Sequence, residues 1–200
     1  MVTVIVFHRV ADYEAWKAVF DEHEGVRRSH GQVEHRVYRG LDEPNRVVVH
    51  NDLPSVDAAE AFRADPSLPE AMARAGVLGE PWVGMSTLAE GRVYAHGHVG
   101  AIAAVHHRVR DYDAWKPVFD EHEAVRRSHG ALGHRIFRSV ADPNVLAIHN
   151  DFPDHAAGLA FTADPSLPEA MARGGVEGEP GIGWVVAAER KVYVEAAVAG

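Results

Sequence analysis

Residues 2–10, Val-Thr-Val-Ile-Val-Phe-His-Arg-Val, form an apolar, β-branched run too short for a helix of that composition, and they predict a strand. From Asp12 to His30 the apolar positions Trp16, Val19, Phe20 and Val26 recur at helical spacing. Asp12 is placed to cap the start and Gly31 to end it. Two strand-like runs follow, Gln32–Arg39 and Arg46–Leu53, separated by the turn-forming Asp42-Glu43-Pro44-Asn45, and they predict a hairpin. An Ala-rich helix is expected over Ser55–Ala64. Asp65-Pro66-Ser67 interrupts it, with Ser67 available as a cap, and Leu68–Ala75 resumes until Gly76. Pro81–Leu88 supplies a fourth strand, with a short extension at Arg92–Tyr94.

The whole pattern then returns at an offset of 99: His8-Arg9-Val10 as His107-Arg108-Val109, Phe20-Asp21-Glu22-His23-Glu24 as Phe119-Asp120-Glu121-His122-Glu123, His50-Asn51-Asp52 as His149-Asn150-Asp151. The chain is read as a tandem duplication, with repeat 1 at residues 1–94, a linker at 95–100 and repeat 2 at 101–200. Each repeat has the order β-α-β-β-α-β, so the fold class is α+β with two ferredoxin-like units. Helices are expected on one sheet face. The other face needs a cover, which the second copy would supply, giving an intramolecular pseudo-dimeric α+β barrel. The first and third strands of each unit are expected to be parallel neighbours, with His8 beside His50.

Composition narrows the function classes. A formal charge of −9 argues against a nucleic-acid partner. Without cysteine there are no disulfides, thiolate nucleophiles or sulfur-ligated metals. No apolar stretch is long enough to span a bilayer, and the N-terminal run reads as a strand and not a leader, so no membrane partner and a cytoplasmic location are expected. The two repeats are expected to pair within one chain, with further homo-oligomerisation open.

The strand-helix opening, and the run Val47-Val48-Val49-His50-Asn51-Asp52-Leu53-Pro54-Ser55 leading into an Ala/Glu-rich helix, resemble the dimeric α+β barrel superfamily. Within it, the antibiotic biosynthesis monooxygenase-like domain is most similar. That resemblance implies small-molecule pockets between sheet and helices, and oxidation or cyclisation of polyketide-like aromatics without a cofactor. It also extends to haem-binding and haem-degrading relatives. Many relatives place a Trp where this chain has Leu53 and Phe152, and in the haem-degrading branch that Trp belongs to the site. Its absence turns the resemblance away from haem degradation.

Of fourteen histidines, five recur at the offset: His8 with His107, His23 with His122, His30 with His129, His35 with His134 and His50 with His149. Around them the strands have drifted, as in Val4 to Ala103, Trp82 to Gly181 and Met85 to Trp184. His23 and His30 lie on the apolar stripe of the first helix, with Arg27 at its margin. Three readings stay open. In the first, a small-molecule enzyme uses His23, His50, Asn51, Trp16 and Arg27, and in repeat 2 His122, His149, Asn150, Trp115 and Arg126. Histidine would be general base or hydrogen-bond donor and Trp a stacking wall, with no flavin or nicotinamide. In the second, His8, His23 and His50, with His107, His122 and His149, hold a transition metal (Zn, Fe, Ni or Cu) or contribute to a haem site. The third is a binding module without turnover. Ser29-His30 are adjacent on a helix and cannot face each other as a nucleophile pair.

Overall fold

The structure, a computed structural model, describes residues 1–193; the end of repeat 2, residues 194–200, lies outside them. Repeat 1 contains β1 (Val2–Val10), α1 (Tyr13–Glu22), α2 (Glu24–Ser29), β2 (Glu34–Gly40), β3 (Arg46–Leu53), α3 (Val56–Arg63), α4 (Leu68–Arg74) and β4 (Val77–Val93). Repeat 2 follows with β5 (Ala101–Val109), α5 (Tyr112–Glu121), α6 (Glu123–Ser128), β6 (Gly133–Ser139), β7 (Val145–Phe152), α7 (His155–Thr162), α8 (Ser166–Arg173) and β8 (Val176–Val192). The class is α+β, and each repeat has the ferredoxin-like order with both helical regions divided in two.

Two compact units form: residues 1–86 with those from 187 onward, and residues 87–186. β4 and β8 are long enough to begin in one unit and end in the other. In unit 1, β1 pairs with both β3 and β4, and β2 pairs with β3, all antiparallel. The end of β8 lies beside β2, where Tyr193 N–H donates to the Val33 carbonyl at 2.8 Å. Unit 2 repeats this arrangement with β5, β7, β8 and β6, and there Tyr94 N–H donates to Leu132 O.

Three expected details are corrected. The expected helix over Asp12–His30 is two segments that turn at His23, although His23 N–H still donates to Val19 O and Arg27 N–H to His23 O. β4 is one strand of 17 residues and not Pro81–Leu88 with a separate extension, because its second half finds a new pairing partner in unit 2. β1 and β3 are antiparallel and not parallel, with Ile5 opposite His50 and His8 opposite Val47.

That register assigns the sheet faces, since directly opposed residues point the same way and successive residues alternate. Val4, Val6 and His8 of β1 share a face with Asn51, Val49 and Val47 of β3. α1 covers one end of this face, burying Tyr13 and Trp16 against Val37, Val47 and Val49. α3 covers the other end with Ala59 and Phe62 against Val4 and Leu53. The Asp12 carboxylate accepts from Ala15 N–H as the expected cap of α1, and Gly31 ends α2 at φ 78°, where a side chain would be strained. Among the described residues no helix is long and apolar enough to cross a membrane.

Candidate active site

Between the sheet and helices of unit 1 lies a cavity of about 680 Å³. Its walls are apolar and aromatic, and Trp16, Phe20 and Phe62 stand among its lining residues. Polar side chains join them, among them His8, His23, Arg27, Asn51 and Asp65. Unit 2 builds the corresponding cavity with Trp115, Phe119, Phe161, His107, His122, Arg126 and Asn150, but only about 100 Å³ of it is open. Phe152 and Trp184, where unit 1 has Leu53 and Met85, pack with Phe161 and Ala103, two of the residues that line that cavity.

The five recurring histidines separate into distinct environments. His8 stands 5.5 Å from Trp16, ring to ring, and His107 stands 6.1 Å from Trp115. Both ring nitrogens of His8 and of His107 are buried and have no hydrogen-bond partner among the described residues. Burial pushes each down to about 4, so both rings are neutral near pH 7. A neutral imidazole offers one donor and one acceptor, and at these two positions the protein uses neither.

His35 and His134, by contrast, are fully engaged. In unit 1 the Tyr193 hydroxyl meets Nδ1 of His35 at 2.6 Å and Glu189 meets Nε2 at 2.5 Å; in unit 2 Tyr94 and Glu90 do the same for His134. These histidines pack edge-on to Phe20 and Phe119 and support the cavity wall from behind.

His50 and His149 require a correction. Both are buried, but they occupy the opposite sheet face, His50 against Tyr38 and His149 against Phe137. Neither reaches the cavity, so His8, His23 and His50 are not brought to one point, nor are His107, His122 and His149. The physical reason is strand alternation: Asn51 faces the cavity, so its neighbour His50 cannot. Among the described residues no group of three or more His, Asp or Glu is arranged to hold a metal ion.

Arg27 is 2% exposed and stacks 3.7 Å above the Phe20 ring. Its Nη1 donates to Phe20 O and its Nε to Gln32 Oε1, while Nη2 is buried without a partner among the described residues. Gln32 Nε2 donates on to Asn51 Oδ1 at 2.6 Å, forming a short polar chain along the cavity floor. Arg126 repeats the stacking on Phe119 at 3.7 Å and also leaves Nη2 unpartnered; burial pulls its pKa down. Position 131 is alanine, so Asn150 Oδ1 has lost the donor that Gln32 supplies to Asn51. A guanidinium buried without a carboxylate is costly, and an anionic ligand oxygen would offset that cost.

His23 meets Ser67 Oγ at 2.8 Å through Nε2, and His30 meets Asp65 Oδ2 at 2.8 Å. The Ser67 hydroxyl donates to Asp65 Oδ1 at 2.5 Å, so this serine does not cap α4 as expected. His122, Ser166, Asp164 and His129 repeat the arrangement. Sequence reasoning treated Asp65-Pro66-Ser67 as architecture. The available signal was its recurrence as Asp164-Pro165-Ser166. Gln32 was also missed, and because repeat 2 has alanine there, recurrence carried no signal for it.

No family model matches the chain, and no curated protein matches it. Solved structures do resemble it. An anthrone oxidase-like protein superposes with a TM-score of 0.73 at 13% identity, covering 100% of this chain and 96% of the other. The chain shares the fold of that protein. A candidate monooxygenase from Lactobacillus acidophilus matches at TM-score 0.57 and 11% identity, over 96% and 95% of the two chains. A Listeria monocytogenes ferredoxin-fold protein related to antibiotic biosynthesis monooxygenases matches at 0.53 and 8%, over 94% and 95%. At these identities the likeness is one of fold, an α+β scaffold of ferredoxin-like units.

Proposed function

We propose that the unit 1 cavity is the reaction chamber of a monooxygenase or cyclase that acts on an aromatic, polyketide-like substrate and uses no flavin or nicotinamide. The observation that carries this reading is a large aromatic-walled cavity with two unused polar groups, the neutral His8 ring and Nη2 of Arg27. Flat aromatic walls suit a fused-ring ligand, and the polar pair suits its oxygens. The anthrone oxidase-like neighbour supports the same substrate class.

Oxidation and cyclisation of such molecules share a first step, removal of a proton from carbon beside a carbonyl. A cavity histidine takes that proton, and the electron pair is left as an enolate whose oxygen Arg27 Nη2 holds. In oxidation the enolate adds dioxygen, forming a C–O bond; the hydroperoxide takes back a proton and loses water, so that CH2 and O2 become C=O and H2O. In cyclisation the same carbanion attacks a carbonyl carbon of its own chain.

The test is incubation of the full chain with hydroxyanthrones under air, following dioxygen uptake and quinone absorbance alongside binding by calorimetry. Turnover in the wild type that falls at least about a hundredfold in His23→Ala/His122→Ala supports the reading. Binding without turnover returns the non-catalytic binding module, and absence of both overturns the small-aromatic reading altogether.

A further inference from the structure

The contacts of His23 determine which of its nitrogens carries the proton. Asp65 accepts three hydrogen bonds, from the Ser67 backbone N–H at 2.9 Å and the Ser67 hydroxyl at 2.5 Å on Oδ1, and from His30 on Oδ2. Together these hold its carboxyl well below the usual carboxylate range, so it is ionised and can only accept. Ser67 has a single hydroxyl proton, and that proton is committed to Asp65. The 2.8 Å contact between Ser67 Oγ and His23 Nε2 therefore has one consistent polarity: the imidazole Nε2–H donates and the serine oxygen accepts. In the neutral ring the lone pair is then on Nδ1, which makes no hydrogen bond to any described residue. Unit 2 reproduces each link, with His122 Nε2 to Ser166 Oγ at 2.9 Å and Ser166 Oγ to Asp164 Oδ1 at 2.6 Å.

We propose that Asp65 and Ser67 are positioning residues for His23, fixing it as the Nε2–H tautomer so that Nδ1 is the base that takes the substrate proton. This rests on the enzymatic reading of the cavity, which His23 lines. In the step, the substrate C–H bond breaks, an N–H bond forms at Nδ1, and the electron pair stays on the substrate as the enolate. The imidazolium that results faces the Asp65 carboxylate through the Ser67 hydroxyl. Ser67 itself is no nucleophile, because its proton already points at Asp65 and His23 presents a donor to it, not a base.

The charged groups around His23 set its working range. Burial lowers its pKa below 6.5, Arg27 and Arg74 lower it further, and Asp65 raises it; His30, on the far oxygen of Asp65, completes the set. His23 is therefore a free base at neutral pH. Removing the Asp65 charge moves its titration to lower pH.

The experiment has a substrate-free arm and a kinetic arm. Long-range proton–nitrogen NMR of the full chain labelled with 15N-histidine reads the tautomer, and the His23 signal is assigned by its loss in His23→Gln. The expected result is a protonated Nε2 and an unprotonated Nδ1 in the wild type, a mixture of tautomers in Ser67→Ala, and return of the single tautomer in Ser67→Thr, with the His35 signals unchanged throughout as a control on folding. With a turned-over substrate, Ser67→Ala lowers kcat by at least about tenfold with little change in KM. Asp65→Asn moves the acid limb of the pH–rate profile to lower pH. An Nδ1–H tautomer in the wild type, or an unchanged tautomer in Ser67→Ala, overturns the relay whatever the activity. A correct tautomer with kcat unaffected by Ser67→Ala overturns the assignment of His23 as base. A correct tautomer in a protein that turns over no aromatic substrate overturns the proposed function, and the catalytic role of His23 with it.

Discussion

Gly158 gives up its side chain to Trp184. A Cβ at Gly158 would lie 2.3 Å from Cζ3 and 2.4 Å from Cη2 of the indole, closer than any side chain can stand. At the equivalent positions unit 1 has Ala59, fully buried, and Met85. The two repeats thus solve one packing problem in two ways, a small residue under a flat ring or a methyl under a flexible chain. Gly158→Ala is expected to destabilise the protein by about 1–3 kcal/mol despite the better helix propensity of alanine. Adding Trp184→Met should remove that cost and enlarge the unit 2 cavity. Urea unfolding of both singles and the double closes the cycle; additive effects would show that the two side chains do not share this space.

Acid sensitivity follows from His8 and His107. Their pKa is about 4 in the folded protein and about 6.5 when unfolded, so the unfolded chain binds the protons first as pH falls. Stability is complete above pH 6.5, is lost between 6.5 and 4, and levels off below. The loss is on the order of 3 kcal/mol for each histidine at about 1.4 kcal/mol per pKa unit. Urea midpoints for His8→Leu/His107→Leu at pH 7.5 and 4.5 should differ much less than those of the wild type.

Arg27→Met is expected to cost binding more than it costs the fold. The variant keeps a flexible apolar chain over Phe20 and removes a buried cation that no described carboxylate pairs. Removing the charge relieves its desolvation cost, and the loss of the donors that serve Gln32 Oε1 and Phe20 O offsets that gain. The thermal midpoint should shift by no more than a few degrees, while affinity for hydroxyanthrones falls by at least about tenfold, the loss of one charge-assisted hydrogen bond of roughly 1.5–3 kcal/mol. Calorimetry on the two proteins decides it.

Gln32→Ala copies the repeat 2 residue into repeat 1. It strands Asn51 Oδ1 and Arg27 Nε, the two atoms that Gln32 serves, as Asn150 Oδ1 is already stranded in unit 2. A destabilisation of about 1–3 kcal/mol is expected in denaturant melts, because each orphaned buried atom bears its own desolvation cost.

The amino-acid pattern alone determined the duplication, the order of strands and helices, and most of the cavity's polar residues. Trp16, His23 and Arg27 are legible because they fall on one helical stripe, and a stripe that is apolar elsewhere must face the sheet. His50 was open to correction from sequence: it adjoins Asn51 in a strand, and a period of two puts neighbours on opposite faces. Only the tertiary structure decided the pairing of β1 with β3, and hence which of the two enters the cavity. It also brought Ser67 to His23 and Asp65 to His30 across 44 and 35 residues, by docking the α3–α4 junction onto the turn between α1 and α2. The difference between cavities of about 680 and 100 Å³ is tertiary as well, since it depends on how side chains from several elements pack around each cavity. Local periodicity records which face a residue occupies. Contacts between segments far apart in the chain leave no period to read, and they decide what each face meets.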